Sequence, residues 1–237
     1  MSHLILVRHG QSEWNLQNRF TGWVDVELAA QGKLEACKAG ELIKDLNIKI
    51  DYFFCSYQKR AIETLKLILN TIRIKNDVIK KAWELNERHY GALTGLNKDE
   101  MKKKLGEDKV HVFRRSWDAP PEPLSKNNPY HPLNIEIYND IPKEKIPDTE
   151  SLKNTYDRVI PYFEKNIQKK IKENVIISAH GNSVRALCKY LFNINNEKIS
   201  KLEIPTGNPL LIKFDNNKKV KEASYLDQKR ANDLIIF

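Results

Sequence analysis

A chain of 237 residues, 41% hydrophobic and 30% charged, is long enough to bury a full core and has the balance of a globular protein, not a disordered one. Its net charge of +9 can attract polyanions, but much of it is lysine in a chain rich in Asn and Ile, and no long basic block or motif marks a nucleic-acid partner. Apolar runs fall short of the roughly 20 residues of a membrane helix, and the N-terminus lacks a signal peptide's basic lead and cleavage site, so a cytoplasmic protein without a membrane partner is expected.

Leu4 to Val7 is a short apolar run suited to a strand buried on both faces. A polar, aromatic loop follows from 10 to 26. Ala36, Ala39, Ile43 and Leu46 recur at helical spacing, which predicts an amphipathic helix over about 29–46. Tyr52 to Cys55 reads as a second buried strand. Ser56 is placed to cap the next helix, whose inner face is Ala61, Leu65, Ile68 and Ile72. Val78 to Ala82 is a candidate third strand. From about 97 to 117 short helical pieces are expected, with Lys98, Lys102 to Lys104, Arg114 and Arg115 exposed. The proline-rich stretch from Asp118 to Pro147 is expected to be a functional loop or lid. A helix bent at Pro161 then runs through Leu152, Tyr156, Val159, Phe163 and Ile167. Val175 to Ala179 is another buried strand, Ser183 to Phe192 a helix, and Leu210 to Phe214 with Val220 to Tyr225 a closing hairpin. This alternation predicts one α/β domain spanning 1–237. The three cysteines, Cys37, Cys55 and Cys188, are too few and too scattered for a disulfide framework or a zinc site and are expected to be buried thiols.

Two apolar strands end in the same pair, His9-Gly10 and His180-Gly181. Ligands in open α/β sheets bind beyond the carboxyl ends of the strands, so both histidines fall where a site is expected. Arg8 adjoins the first, and Arg60 lies in the opening turn of a helix at the same edge. Guanidinium groups match phosphoryl oxygens with paired hydrogen bonds, whereas each arginine alone would read as surface charge. A neutral imidazole can attack phosphorus, and nearby arginines oppose its protonation. Phosphoryl transfer also needs an acid for the leaving oxygen. Glu87 is a candidate, although Arg88 beside it offers a plain salt bridge instead. With no nucleotide loop and no zinc motif, neither nucleotide nor metal chemistry has an anchor.

The segment Leu6-Val7-Arg8-His9-Gly10-Gln11-Ser12-Glu13-Trp14-Asn15 resembles the signature of the histidine phosphatase superfamily. Asn18-Arg19-Phe20-Thr21-Gly22-Trp23, Leu85-Asn86-Glu87-Arg88-His89-Tyr90-Gly91-Ala92-Leu93, Gly95-Leu96-Asn97-Lys98 and Ala179-His180-Gly181-Asn182-Ser183 narrow the likeness to its cofactor-dependent phosphoglycerate mutases. The resemblance implies a three-layer α/β/α sandwich with a mostly parallel sheet; in this sequence an irregular insertion over about 97–147 flanks the expected site, and the C-terminal tail, 227–237, is short. It implies exchange of 3-phosphoglycerate and 2-phosphoglycerate in glycolysis and gluconeogenesis, primed by 2,3-bisphosphoglycerate and without a metal. His9 would carry the phosphoryl group and Glu87 the proton, with Arg8, Arg60, Asn15 and His180 around the transferring group. Ser12, Thr21, Gly22, Tyr90, Lys98, Arg114, Arg115, Gly181 and Asn182 would hold the rest of the substrate. Family members are dimers or tetramers, so a homo-oligomer is expected.

Two features depart from the family pattern. Gln58 stands where leucine is common, which suggests a packing change near Arg60. The tail ends Leu234-Ile235-Ile236-Phe237, which puts closure over the site in question. The competing reading is a phosphatase of the same superfamily, with water taking the phosphoryl group from His9. A bisphosphoglycerate synthase is disfavoured by Gly22, and a silent basic binding protein by the presence of both histidines.

Overall fold

The computed structural model describes residues 2–75 and 79–231. Among them lies a six-stranded sheet in the order β3-β2-β4-β1-β5-β6. Its members are β1 (Ser2–Arg8), β2 (Tyr52–Cys55), β3 (Ile79–Lys81), β4 (Val175–Ala179), β5 (Leu210–Phe214) and β6 (Val220–Tyr225). The pairs β3–β2, β2–β4 and β4–β1 are parallel, while β5 runs against both its neighbours. The sheet is therefore mostly parallel, as expected.

Successive side chains of a strand point to opposite faces, and β1 shows what that does here. Leu4 and Leu6 enter one apolar core with α6 (Leu152–Tyr162) and α7 (Gly181–Leu191). Ile5 and Val7 enter the other, with α2 (Ala30–Asp45) and α3 (Lys59–Thr71). An uninterrupted apolar run such as Leu4 to Val7 needs helices on both sides, and the result is an α/β/α sandwich. Each fully buried aliphatic side chain contributes about 1.5–3 kcal/mol relative to exposure.

The remaining helices are α1 (Glu13–Leu16), α4 (Lys98–Leu105), α5 (Glu107–Arg115) and α8 (Asn196–Ile199). Serine caps α1 and α6 with reciprocal capping boxes, through Ser12 with Asn15 and Ser151 with Asn154. Pro161 stands inside α6, and from Phe163 to Ile167 the helix widens into a π turn. Proline has no N–H to give the preceding turn, so α6 lacks one ladder bond at Pro161 although it stays helical to Tyr162.

Several expectations are corrected. Ser56 does not cap α3, which begins at Lys59 with Gln58 in the cap position. Its hydroxyl instead accepts from Gln58 N at 3.2 Å and bonds His180 Nε2 at 2.7 Å. Lys98, Arg114 and Arg115 are half-buried, not exposed, because the ends of α4 and α5 turn toward the site. Cys37 is likewise half-buried, whereas burial pushes the thiols of Cys55 and Cys188 up to about 12. Val78 and residues 232–237, including the apolar end of the tail, lie outside the described residues.

The proline-rich segment has few regular elements beyond single 3-10 turns, yet it is well anchored. Tyr138 and Ile141 pack on Trp23, and Tyr138 Oη donates to the Trp23 carbonyl at 2.5 Å. Among the described residues no helix is long and apolar enough to cross a membrane.

Candidate active site

Strands β1 and β4 lie side by side in register, Arg8 opposite Ala179, so the residues that follow them also meet. His9 N donates to the Ala179 carbonyl at 3.0 Å, and the rings of His9 and His180 are 5.0 Å apart. The close passage of the chain after β1 depends on glycine. A Cβ on Gly10 would stand 2.1 Å from Gly32 O, and one on Gly32 would stand 2.0 Å from Gln11 O. Both clashes are with backbone and cannot be relieved by a rotamer change.

His9 is 3% exposed. Its Nδ1 lies 2.7 Å from the Gly10 carbonyl. A carbonyl only accepts, so Nδ1 carries the proton and Nε2 keeps its lone pair. Arg60 Nε donates toward that nitrogen at 3.3 Å. Burial first, then the charges of Arg60 and Arg8, hold the imidazole well below the usual histidine range. The ring is a neutral base whose Nε2 lone pair is met only by the long bond from Arg60 Nε among the described residues. His180 is fully buried beside it and also held neutral by burial and Arg60.

Arg60 is 1% exposed and pinned from three sides. It donates to Val24 O and Gly22 O, both at 2.9 Å, and to Gln58 Oε1 at 3.3 Å. Arg8 donates through Nη1 to Ile204 O at 2.7 Å, while its buried Nε has no partner among the described residues. A Cβ on Gly181 would sit 3.5 Å from Arg8 Nε and 3.7 Å from Glu87 Oε2. Glycine there leaves open the space on which a cation and a carboxylate converge.

Glu87 Oε1 accepts three N–H groups: Arg88 N at 2.8 Å, Asn182 N at 3.1 Å and Asn182 Nδ2 at 2.9 Å. Burial alone would raise its pKa, but these bonds with Arg60 and Arg8 prevail and hold it below the usual carboxylate value. The N-terminus of α7 therefore serves a carboxylate as its anion. Asn182 Nδ2 also donates to Tyr90 Oη at 3.2 Å. Despite burial, the tyrosine's pKa is lowered by Arg88 and Arg114.

These groups open on a cavity of about 170 Å³. Of the residues expected from sequence, Arg8, His9, Asn15, Thr21, Gly22, Arg60, Glu87, Tyr90, Lys98, Arg114, Arg115, Gly181 and Asn182 line it. Ser12 does not, since its hydroxyl caps α1, and His180 stands behind His9. Sequence reasoning passed over Arg19, Arg185 and Glu203, which also line it. Arg185 is 4% exposed and donates to Asn182 Oδ1 at 2.7 Å; burial lowers its pKa to about 10, so it stays charged at neutral pH. Seven basic side chains thus face two carboxylates, Glu87 and Glu203, in a cavity made for a small polyanion. Among the described residues no cluster of His, Cys, Asp and Glu has the geometry of a metal site.

The sequence profile of the histidine phosphatase superfamily (branch 1) matches residues 4–131 and 128–226. The chain belongs to the histidine phosphatase superfamily. Within the superfamily it is 68% identical, over the full length of both chains, to a 2,3-bisphosphoglycerate-dependent phosphoglycerate mutase of Pelagibacter ubique (strain HTCC1062). It is 48% identical to the mutase of Maricaulis maris (strain MCS10), over 99% of this chain and 98% of that one. That likeness places it in the mutase family. Among solved structures, it shares a fold with mycobacterial glucosyl-3-phosphoglycerate phosphatase, at a TM-score of 0.69 and 17% identity over 94% of this chain and 97% of that one. Bacillus stearothermophilus YhfR is similar, at 0.68 and 19% over 93% and 95%. At such identities these two structures speak for the superfamily fold alone.

Proposed function

We propose that this protein interconverts 3-phosphoglycerate and 2-phosphoglycerate through a phosphohistidine at His9. One observation carries the reading: a buried imidazole, neutral and with Nδ1 tied to the Gly10 carbonyl, presents Nε2 to a cation-lined cavity opposite an ionised carboxylate. His9 Nε2 forms the bond to phosphorus as the bond from phosphorus to the donor oxygen breaks. Arg8 and Arg60 take up the charge on the equatorial oxygens. Glu87, ionised at the outset, accepts the proton of one substrate hydroxyl as that oxygen takes the phosphoryl group. It returns that proton to the other oxygen as the bond from that oxygen to phosphorus breaks and His9 Nε2 takes back a phosphoryl group. Lys98, Arg114, Arg115 and Tyr90 hold the carboxylate and the distal phosphate, with Asn15, Thr21, Gly22, Gly181 and Asn182 completing the wall. Ser12 acts from behind, by fixing the turn that carries Asn15, and His180 by packing against the nucleophile.

The primer 2,3-bisphosphoglycerate fits this wall, where the Arg8 Nε and Thr21 Oγ1 atoms are buried without partners among the described residues. When bound, it supplies the first phosphoryl group. The same reading carries a single cytoplasmic domain, assembled as a homodimer or homotetramer, in the late steps of glycolysis and its reversal.

The test supplies 3-phosphoglycerate with catalytic 2,3-bisphosphoglycerate and follows both isomer and free phosphate. Isomer without phosphate is expected, together with an acid-labile label on His9 that is lost in His9→Ala. Phosphate alone would mark a phosphatase, and turnover by a folded His9→Ala protein would remove the nucleophile assignment.

A further inference from the structure

Gln58 occupies the N-cap position of α3, yet its side chain makes no capping bond. It is fully buried instead, outside the cavity wall, and all four hydrogen-bonding positions of its amide are filled. Oε1 accepts from Glu87 N at 3.0 Å and from Arg60 Nη2 at 3.3 Å. Nε2 donates to Gly22 O at 2.9 Å and to Tyr138 Oη at 3.1 Å. Only a primary amide supplies two acceptor and two donor positions without charge. The partners also fix which end is which, because N–H groups face Oε1 and a carbonyl faces Nε2.

What this amide joins is specific. Glu87 and Arg60 come from different segments, and the Gly22 carbonyl also accepts from Arg60 Nη2 at 2.9 Å. Tyr138, from the proline-rich segment, holds Gln58 from behind while donating to Trp23 O. We propose that Gln58, braced by Tyr138, is a positioning residue that fixes the proton-handling Glu87 and the phosphoryl-binding Arg60 in one rigid unit. The proposal rests on the mutase reading. Transfer to or from His9 uses the carboxylate and the guanidinium together, so their relative placement governs the rate of transfer. Neither Gln58 nor Tyr138 lines the cavity, so their loss should act on turnover and spare substrate affinity.

The experiment compares the wild-type enzyme with Gln58→Leu, Tyr138→Phe and the double variant. Gln58→Leu installs the side chain common in the family but takes the amide from the four partners that this chain has built around it, so kcat for isomerisation should fall on the order of 10- to 100-fold, with KM for 3-phosphoglycerate within about 3-fold, as expected of a small misplacement of reacting groups. Tyr138→Phe should lose about 3- to 10-fold, and the double variant should be no worse than Gln58→Leu, as for residues that act as a unit. Independently of turnover, the Glu87 amide should exchange its hydrogen faster by about 10-fold or more in Gln58→Leu, having lost its acceptor. Wild-type kcat in folded variants, losses that multiply, or an unchanged Glu87 exchange rate would each overturn the proposal. If Gln58→Leu does not fold, Tyr138→Phe decides: a loss confined to kcat supports the role, and an unchanged kcat removes it. Wild-type turnover in the same assay separates these outcomes from failure of the mutase reading, which would show as a wild-type protein making no isomer.

Discussion

Arg158 should matter more to this fold than any exposed arginine, although it does not line the cavity. Its side chain is 10% exposed and that of its partner Glu150 only 4%. Nε donates to Glu150 Oε1 at 2.7 Å and Nη2 to Oε2 at 2.9 Å, a two-pronged pair. The same guanidinium donates to the carbonyls of Glu84, Asn86 and Glu87, at 2.6, 2.9 and 2.9 Å. Arg158→Met keeps much of the stem's volume but leaves a buried carboxylate with His89 N at 2.8 Å as its remaining hydrogen-bond donor, and strips one donor group from three carbonyls. Breaking a buried pair from one side costs about 3–5 kcal/mol, a large part of a typical total of about 5–15 kcal/mol. At about 2–4 °C per kcal/mol for a chain this size, the melting temperature should drop by roughly 10 °C. Activity should also fall, because the released carbonyls belong to the loop that presents Glu87. Urea titration and calorimetry measure the first effect. Adding Glu150→Gln should restore part of the loss by removing the stranded charge. A single variant destabilised by less than about 1 kcal/mol, or a double variant worse than the sum of both changes, would refute the assignment.

Other outcomes follow from the same geometry. His9, His180 and His89, the last at about 3, are held neutral when folded and regain an ordinary pKa when unfolded. Their contribution is fully present above about pH 6.5 and is lost as pH falls below it, by about 1.4 kcal/mol per pH unit for each. Urea unfolding at pH 7 and 5.5 should show the decline, and equal stability at both would contradict it. Gly32→Ala should destabilise severely, since its Cβ would meet the Gln11 carbonyl at 2.0 Å; a melting temperature within 2–3 °C of wild type, about 1 kcal/mol, would show that the backbone can yield. Isomerase activity should survive a chelator, whereas vanadate should compete with substrate by occupying the place of the transferring phosphoryl group; chelator sensitivity would point to a metal-assisted reaction.

The strands were legible because a parallel sheet buried on both faces writes itself as uninterrupted apolar runs, as in Leu4 to Val7 and Val175 to Ala179. The two His-Gly pairs were legible for the same reason, since each ends such a run. Buried arginines were not. Arg158 and Arg185 look like helix-surface charge until a bidentate carboxylate or an asparagine is found beside them. For Arg185 a signal existed, because it follows Asn182 by three residues and shares its helix face. Arg19 sits inside the Asn18 to Trp23 motif with nothing to mark it as a cavity residue, and Glu203 has no local signal at all. Ser56 looks like a cap in the sequence because serine before a helix reads the same whether its hydroxyl serves the helix or a histidine more than a hundred residues away. The departure at Gln58 suggested altered packing, but sequence alone could not show an amide satisfied on all four sides.

The position of the first strand has a consequence for how the molecule is made. On its two sides β1 pairs with residues 175–179 and with 210–214, both from the last third of the chain. A ribosome therefore releases the apolar run Leu4 to Val7 long before residues 175–179 and 210–214, the partners of its two hydrogen-bonding edges, have emerged. Products truncated before those strands would leave both edges of that run open, and they are expected to aggregate.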